Sequence, residues 1–191
     1  MAATVHPQGW LSIDLSEANE NWARHVREQR DQQYGNIFQE EAGDERWTGD
    51  LGELVFDRWL KHSGATGYRW IQEGAAGAPD FVFASGVRVG VKTVKRKVPP
   101  RPDYTAQITA KHTEEPIEQF FFMTYEIEKR RMWLLGGIDK PTFLREAIYY
   151  LAGAKVHANY TIRPGHEIYN IEISKLVPPE AWVGSFVTRH K

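Results

Sequence analysis

A change in hydrophobic periodicity near Gly67 constrains the fold of this sequence more than any other feature. Before it, residues 48–62 place apolar side chains at helical spacing, which predicts an amphipathic helix. After it, apolar and polar residues alternate with a period of two, which is typical of half-buried strands. This pattern predicts strands at 68–71, 80–83, 87–94, 104–110, 119–127 and 131–138. The chain is therefore expected to pack a helix on a sheet.

The regions on either side of these strands complete the predicted architecture. Residues 16–34 are polar with a sparse apolar seam, which favours a surface helix over the domain. The remaining predictions are a helix at about 140–152, opened by Asp139 and Pro141, short strands near 159–163 and 167–173, and a tail from Pro178.

Together these elements predict an α/β fold with a central mixed β-sheet flanked by α-helices. Residues 1–47 are expected to form an N-terminal helical extension, and residues 48–191 the main domain of a single globular unit.

Composition excludes several classes of protein. The chain has 24 Lys and Arg against 25 Asp and Glu, so a binder that acts through bulk positive charge is excluded. With no cysteine, it has no disulfide, thiolate zinc site or cysteine nucleophile. It has no run of 18 apolar residues, and its first ten residues do not resemble a secretory signal. We therefore expect a cytoplasmic protein with no membrane contact.

A predicted β-hairpin brings an acid and a lysine to one face of the sheet. A three-residue loop that ends at Gly86 gathers the apolar side chains on the other face, which a two-residue turn does not. The polar face then carries Asp80, Arg88 and Lys92, with Asp80 opposite Gly90. A surface ion pair would explain this arrangement equally well.

Glu53 favours a functional interpretation of that face. It lies on the predicted helix in a stripe with Phe56 and Leu60, so it is an acid among groups that favour burial. Two carboxylates and a lysine suit a divalent cation bound by oxygen, with the ammonium group orienting or activating a water.

Three short motifs carry a resemblance to a known family. They are Glu53 on a helix that begins Gly-x-x-Gly-Glu, the pair Pro79-Asp80, and Gly90-Val91-Lys92-Thr93 on the following strand. The set resembles the PD-(D/E)XK nuclease superfamily, which has the restriction-endonuclease-like fold. The resemblance covers roughly residues 48–110 and continues more loosely through the predicted helix at 140–152.

The resemblance implies a set of site residues. Asp80 and Glu53 would bind Mg²⁺ or Mn²⁺, together with the backbone carbonyl of Val91. Lys92 would position the attacking water and stabilise the phosphorane-like transition state. The implied activity is hydrolysis of DNA phosphodiester bonds.

Gly90 departs from the family pattern, which has Asp or Glu at this position. Two interpretations follow. Another acid, Glu53 or Glu73, reaches into the space, or metal affinity is lost and the fold serves as a catalytically inactive DNA-binding or interaction module. Gly90→Glu is expected to increase Mg²⁺-dependent cleavage, and an unchanged, metal-independent result in both forms would contradict a catalytic role.

A run of positive charge follows the lysine and predicts a phosphate-backbone track, with a solvated loop as the alternative. The predicted nucleic-acid-binding residues are Arg88, Lys95, Arg96, Lys97 and Arg101, with Gln107 on the next strand.

Other candidate residues are assigned ordinary roles. His112, His157 and His166 lack metal-ligand spacing and are interpreted as surface or loop histidines. The aromatic runs Phe120–Phe122 and Tyr149–Tyr150 are assigned to core packing.

The sequence therefore predicts a Mg²⁺-dependent or Mn²⁺-dependent deoxyribonuclease from a prokaryotic or phage-infected cell. Its DNA partner is expected, and a homodimer or a larger phage or defence complex is left open. The alternative is a catalytically inactive protein of the same fold.

Overall fold

A seven-stranded mixed sheet forms the centre of the computed structural model, which describes residues 2–35, 46–72, 77–158 and 160–185. The helices are α1 (Glu17–Tyr34), α2 (Trp47–His62), α3 (Lys140–Glu146) and α4 (Pro179–Val183). The strands are β1 (Thr4–Val5), β2 (Leu11–Asp14), β3 (Tyr68–Trp70), β4 (Phe81–Phe83), β5 (Arg88–Arg96), β6 (Thr105–Thr109), β7 (Gln119–Glu126), β8 (Arg131–Asp139), β9 (Ile148–Tyr150), β10 (Lys155–His157), β11 (Tyr160–Thr161) and β12 (Ile168–Glu172). Among the described residues, short 3₁₀ helices lie at Ala110–Glu114, Ile127–Lys129 and Ile173–Lys175.

The central sheet has the order β1-β2-β8-β7-β5-β4-β3. Strands β5 and β7 run parallel, and the other neighbouring pairs are antiparallel. A second, antiparallel sheet has the order β6-β12-β9, and β10 pairs with β11 as a separate hairpin. The predicted α/β class with a mixed sheet and flanking helices is confirmed.

Two cores lie on opposite faces of the central sheet. On one face, α2 packs Val55, Phe56 and Trp59 against Phe121 of β7. On the other face, Phe120 and its neighbours pack against α3 and the second sheet. Because adjacent residues of a strand point to opposite faces, the aromatic run on β7 supplies both cores, as predicted.

The β4–β5 hairpin has the predicted register. Phe81 pairs with Val89, and the Phe83 N–H donates to the Val87 carbonyl at 2.9 Å. Gly86 closes the loop with a φ of +86°, a left-handed conformation that favours glycine. Extending this register by one residue sets Asp80 opposite Gly90.

The N-terminal region contributes strands that the sequence analysis did not predict. Within it, α1 packs on α2, while β2 pairs with β8 and extends the central sheet. Among the described residues, no helix has the length and apolar character that crossing a membrane requires.

The helix predicted at 140–152 is wrong in its second half. Asp139 caps α3 by accepting the Thr142 N–H at 2.8 Å, but the helix ends at Glu146. Residues 148–150 form β9 instead, because β-branched and aromatic side chains suit a strand and β12 offers an edge for pairing. Tyr149 is 44% exposed and packs its ring at a tilt against Tyr169 in this small sheet, so its assignment to the core is also wrong.

The tail predicted from Pro178 is a short helix that closes the core. Trp182 of α4 is only 2% exposed and packs against the rings of Phe56 and Phe121. Its indole N–H donates to the Gln119 side chain at 3.0 Å, and its ring fills the space above Gly137.

We predict that Trp182→Ala lowers the free energy of unfolding by about 3–5 kcal/mol, because it leaves a cavity among buried aromatic rings. Urea denaturation measures this loss. Leu151→Ala, at a side chain that is 64% exposed, is the control and should change stability by less than about 0.5 kcal/mol. Equal effects of the two substitutions would contradict a role of α4 in the core.

Candidate functional site

The site lies at the edge of β5 that extends beyond its antiparallel neighbour, the shorter strand β4. The backbone pairing reaches the Asp80 N–H, which donates to the Val89 carbonyl at 3.0 Å. Beyond it, the Val91 N–H donates to Asp80 Oδ2 at 2.7 Å, so a carboxylate takes the place of a strand partner. Because the N–H and C=O groups of one strand residue point to the same side, the Val91 carbonyl faces this edge too.

This edge of β5 opens into a cavity of about 730 Å³. Its wall includes the predicted residues Glu53, Asp80, Val91, Lys92 and Gln107. These residues lie far apart along the chain. The fold brings them to one cavity from α2, from the β4–β5 hairpin and from the second sheet.

Asp80 is the least compensated acid of the site. Within the described ranges it forms no ion pair, and the hydrogen bond from Val91 is the one its side chain makes. Burial raises the pKa of Asp80 to about 8, and the charge of Glu53 adds to this effect. The charge of Lys92 and the Val91 N–H act in the opposite direction. A cation placed beside Asp80 would stabilise its ionised form and so lower its pKa.

Lys92 is paired with an acid that the sequence analysis did not identify. Its Nζ donates to Glu115 Oε2 at 2.9 Å and lies 3.2 Å from His112 Nδ1. The same histidine nitrogen lies 2.5 Å from Glu115 Oε1. His112 and Glu115 both line the cavity, so the interpretation of His112 as an ordinary loop residue is wrong.

The pKa of Glu115 is lowered despite its environment. Burial opposes its ionisation, but the hydrogen bond with His112 and the charge of Lys92 outweigh burial. Glu115 is therefore a carboxylate at neutral pH, although its residue is only 7% exposed.

Glu53 is held by an arginine of α1. Arg30 Nη1 and Nη2 donate to its two carboxylate oxygens at 3.0 and 3.1 Å, and the Trp70 indole donates at 3.0 Å. Arg30 also donates to Asp50 at 2.5 Å, as Arg27 does at 2.7 Å. Glu53 therefore reaches the predicted site, but with both of its oxygens already bonded.

The cationic run lies mostly outside the cavity. Arg88 pairs with Glu118, and Arg101 pairs with Asp103 at 2.7 Å. Arg96 donates to the Thr105 carbonyl at 3.1 Å, while Lys95 and Lys97 are exposed. Among the described residues, Lys92 and Gln107 line the cavity and these five do not, so the phosphate track along them stays a prediction.

Other cations, which the sequence analysis missed, do line the cavity. Among the described residues, five Arg or Lys and four Asp or Glu contribute to its wall. The cations beyond Lys92 come from α1, the start of α2 and the loop after β11, and they are Arg27, Arg30, Arg46 and Arg163.

The donor set suits a hydrated hard cation better than a fully protein-bound metal. Within the described part of the chain, no three His, Asp or Glu side chains form a ready metal cluster. Mg²⁺, however, is usually held by one or two carboxylates, with waters and substrate phosphates completing its octahedral shell. Asp80 and the Val91 carbonyl fit that pattern. Glu73, the other acid considered for the space at Gly90, lies outside the described residues.

Comparison with known proteins adds no assignment, because no protein-family model and no curated protein matches the chain at a significant level. Function must therefore be inferred from the geometry of the cavity.

We predict that Arg30→Met lowers the free energy of unfolding by about 3–5 kcal/mol, because it leaves Asp50 and Glu53 buried without their shared partner. Arg88→Met is the matched control, since it breaks an ion pair whose two side chains are 42% and 43% exposed. Urea denaturation should show a large loss for the first variant and little change for the second. Similar small changes would mean that the buried network contributes little to stability.

A second prediction concerns the raised pKa of Asp80. Because this pKa is higher in the folded than in the unfolded state, the group favours folding at low pH, and this contribution is lost as pH rises from about 4 to about 8. In EDTA, Asp80→Asn should therefore gain Tm relative to the native chain as pH rises from 5 to 9. A gain of at least about 4 °C is expected, since each pKa unit corresponds to about 1.4 kcal/mol and each kcal/mol to about 2–4 °C in a chain of this size.

Asp103→Asn is the control, since the hydrogen bond from Arg101 lowers the pKa of that exposed acid. Its Tm relative to the native chain should not rise over this pH range. If the Tm of Asp80→Asn relative to the native chain stays constant or falls as pH rises, the pKa of Asp80 is not raised in the folded protein.

Proposed function

We propose that this protein is a divalent-metal-dependent nuclease that hydrolyses DNA phosphodiester bonds, built on a restriction-endonuclease-like core. The observation that carries the proposal is the meeting of Asp80, the Val91 carbonyl edge and Lys92 in one cavity. These are the positions at which the sequence resembles the PD-(D/E)XK nucleases. The central mixed sheet with flanking helices is compatible with that core.

Asp80 and the Val91 carbonyl are the groups that would hold Mg²⁺ or Mn²⁺. The cation would supply Lewis acidity toward a phosphate oxygen and a lowered pKa for a bound water. Asp80 supports this assignment because a desolvated carboxylate with a raised pKa, which forms no ion pair within the described residues, gains most from a divalent ion.

Lys92 is suited to orient the attacking water and to offset the negative charge that develops on the phosphate. In hydrolysis, the water oxygen bonds to phosphorus as the ester bond to the sugar oxygen breaks, with no change in oxidation state. The side chain of Lys92 is only 14% exposed, so its charge acts with little screening by solvent.

Support for a polyanionic substrate comes from a small local excess of positive charge. Among the described residues, the wall of the cavity carries five Arg or Lys against four Asp or Glu, although the net charge of the whole chain is −1. Arg27 and Arg46 are ion-paired with Asp50 and Asp31, so this excess is small. DNA rather than RNA is the substrate we propose, by analogy with the family that the motifs resemble.

A catalytically inactive nuclease-fold protein that binds DNA is the second candidate. It is favoured by Gly90 in place of an acid and by Arg30, which occupies both oxygens of Glu53. The two candidates differ in metal binding. A competent site should raise Tm by about 3 °C or more at a Mn²⁺ concentration ten times Kd, and an inactive one should not.

We predict that Lys92→Ala lowers Mg²⁺-dependent cleavage of plasmid DNA by about 100-fold or more, because the group that stabilises the transition state is lost. DNA binding, measured by fluorescence anisotropy in Ca²⁺, should be retained. Lys175→Ala, at an exposed lysine outside the cavity, should leave both unchanged. Full cleavage by Lys92→Ala, or by Asp80→Asn, would contradict the proposed function.

A further inference from the structure

We infer that Glu115 is the second acid of the metal site, delivered beside Lys92 by the segment between β6 and β7 in place of an acid at position 90. This inference rests on the proposed function and adds to it a residue outside all the motifs that suggested it. The segment, residues 110–118, comprises the 3₁₀ helix Ala110–Glu114 and the four residues that lead into β7.

The first observation is the contact between Glu115 and Lys92. The carboxylate Oε2 lies 2.9 Å from the lysine Nζ, and both residues line the cavity that contains Asp80. Asp80 and Glu115 come from different strand connections, and the fold brings both to the wall of this one cavity. Two carboxylates in one cavity, with waters completing the shell, suit a hydrated Mg²⁺ or Mn²⁺.

The second observation is the close approach of the same segment to Gly90. A Cβ at this position would lie 2.8 Å from Ile117 Cδ1 and 3.4 Å from Lys92 Cε. Any side chain here would have to displace Ile117, two residues after Glu115. The absence of an acid at position 90 and the approach of Glu115 are therefore connected. Because Gly90 has no side chain, Ile117 can occupy the adjacent space, and the segment can bring Glu115 to Lys92.

The third observation is that Glu115 is held in place from several sides. Its Oε1 lies 2.5 Å from His112 Nδ1, and its backbone carbonyl accepts from Lys140 Nζ at 2.8 Å. The same carbonyl accepts the Ile117 N–H at 2.8 Å. A carboxylate fixed in this way is preorganised for a ligand, whereas a mobile surface acid is not.

Glu53 and Glu115 differ in what binds their oxygens. Arg30 takes both oxygens of Glu53, and the cost of separating that bidentate pair in a buried position is high. Glu115 also has both oxygens bonded, one to His112 and one to Lys92, but neither contact is a bidentate arginine pair, and Lys92 is the residue whose proposed role is to act on the water and the phosphate. A cation and its waters can share Glu115 with Lys92 without leaving a buried charge unpaired.

The test measures Mn²⁺ affinity by isothermal titration calorimetry and cleavage of plasmid DNA in parallel. Glu115→Gln should weaken Mn²⁺ binding about tenfold or more and lower cleavage by a similar or larger factor. Glu114→Gln is the matched control, because it neutralises the neighbouring exposed acid and should change neither quantity.

A relocation variant tests the connection with Gly90. Glu115→Gln combined with Gly90→Glu and Ile117→Ala returns an acid to the strand and removes the methyl group that obstructs it. This triple variant should recover Mn²⁺ affinity to within about tenfold of the native chain. Gly90→Glu alone should recover less in the same background, because Ile117 still opposes the new side chain.

The outcomes separate this inference from the proposed function. If the native chain binds no Mn²⁺ and cleaves nothing, the proposed function fails and this inference with it. If the native chain is active and Glu115→Gln matches it in both measurements, this inference alone is overturned. If Glu115→Gln does not fold, Glu115→Asp replaces it, and unchanged Mn²⁺ affinity in that variant would equally overturn the inference.

Discussion

The parallel pairing of β5 with β7 is the constraint on which the rest of the site depends. It fixes which residues of β5 face α2 and which face the second sheet, because side chains alternate along a strand. Val89 and Val91 consequently enter the core beneath α2, while Gly90 and Lys92 face the segment that leads into β7. A shift of one residue in this register would bury the lysine and expose the valines, so the apolar pattern and the chemistry of the site specify the same pairing.

The pairing of charges around the cavity differs between its two sides: one side stabilises the fold, and the other leaves an acid able to bind a cation. Asp50 and Glu53 of α2 are neutralised by two arginines of α1, which makes that side of the cavity a structural support. Glu115 has Lys92 and His112 as partners, whereas Asp80 has one backbone N–H within the described residues. Natural proteins retain such under-compensated buried acids mainly at functional sites, where a ligand supplies the missing charge.

The sequence predicts the central elements well where one physical rule dominates. Period-two alternation located β4, β5, β7 and β8, and the loop glycine at Gly86 gave the hairpin register. The N-terminal strands and β9 were missed because they are short and gain their stability from sheet edges supplied by distant segments. Glu115 and His112 could not be found from the sequence, since nothing in their spacing indicates a return to Lys92. Arg27 and Arg30 could have been predicted from their spacing, since they are three residues apart and so lie on one face of α1. Asp50 and Glu53 have the same spacing on α2, and the two faces pair.

The central claim is that Asp80 and Glu115 together bind a divalent cation beside Lys92. A crystal structure of the native chain soaked in Mn²⁺, with anomalous scattering recorded for manganese, tests it most directly. We expect one anomalous peak in the cavity, at about 2.1 Å from oxygens of Asp80, Glu115 and the Val91 carbonyl. Absence of a peak there, or a peak that contacts neither carboxylate, would contradict metal binding by these two acids.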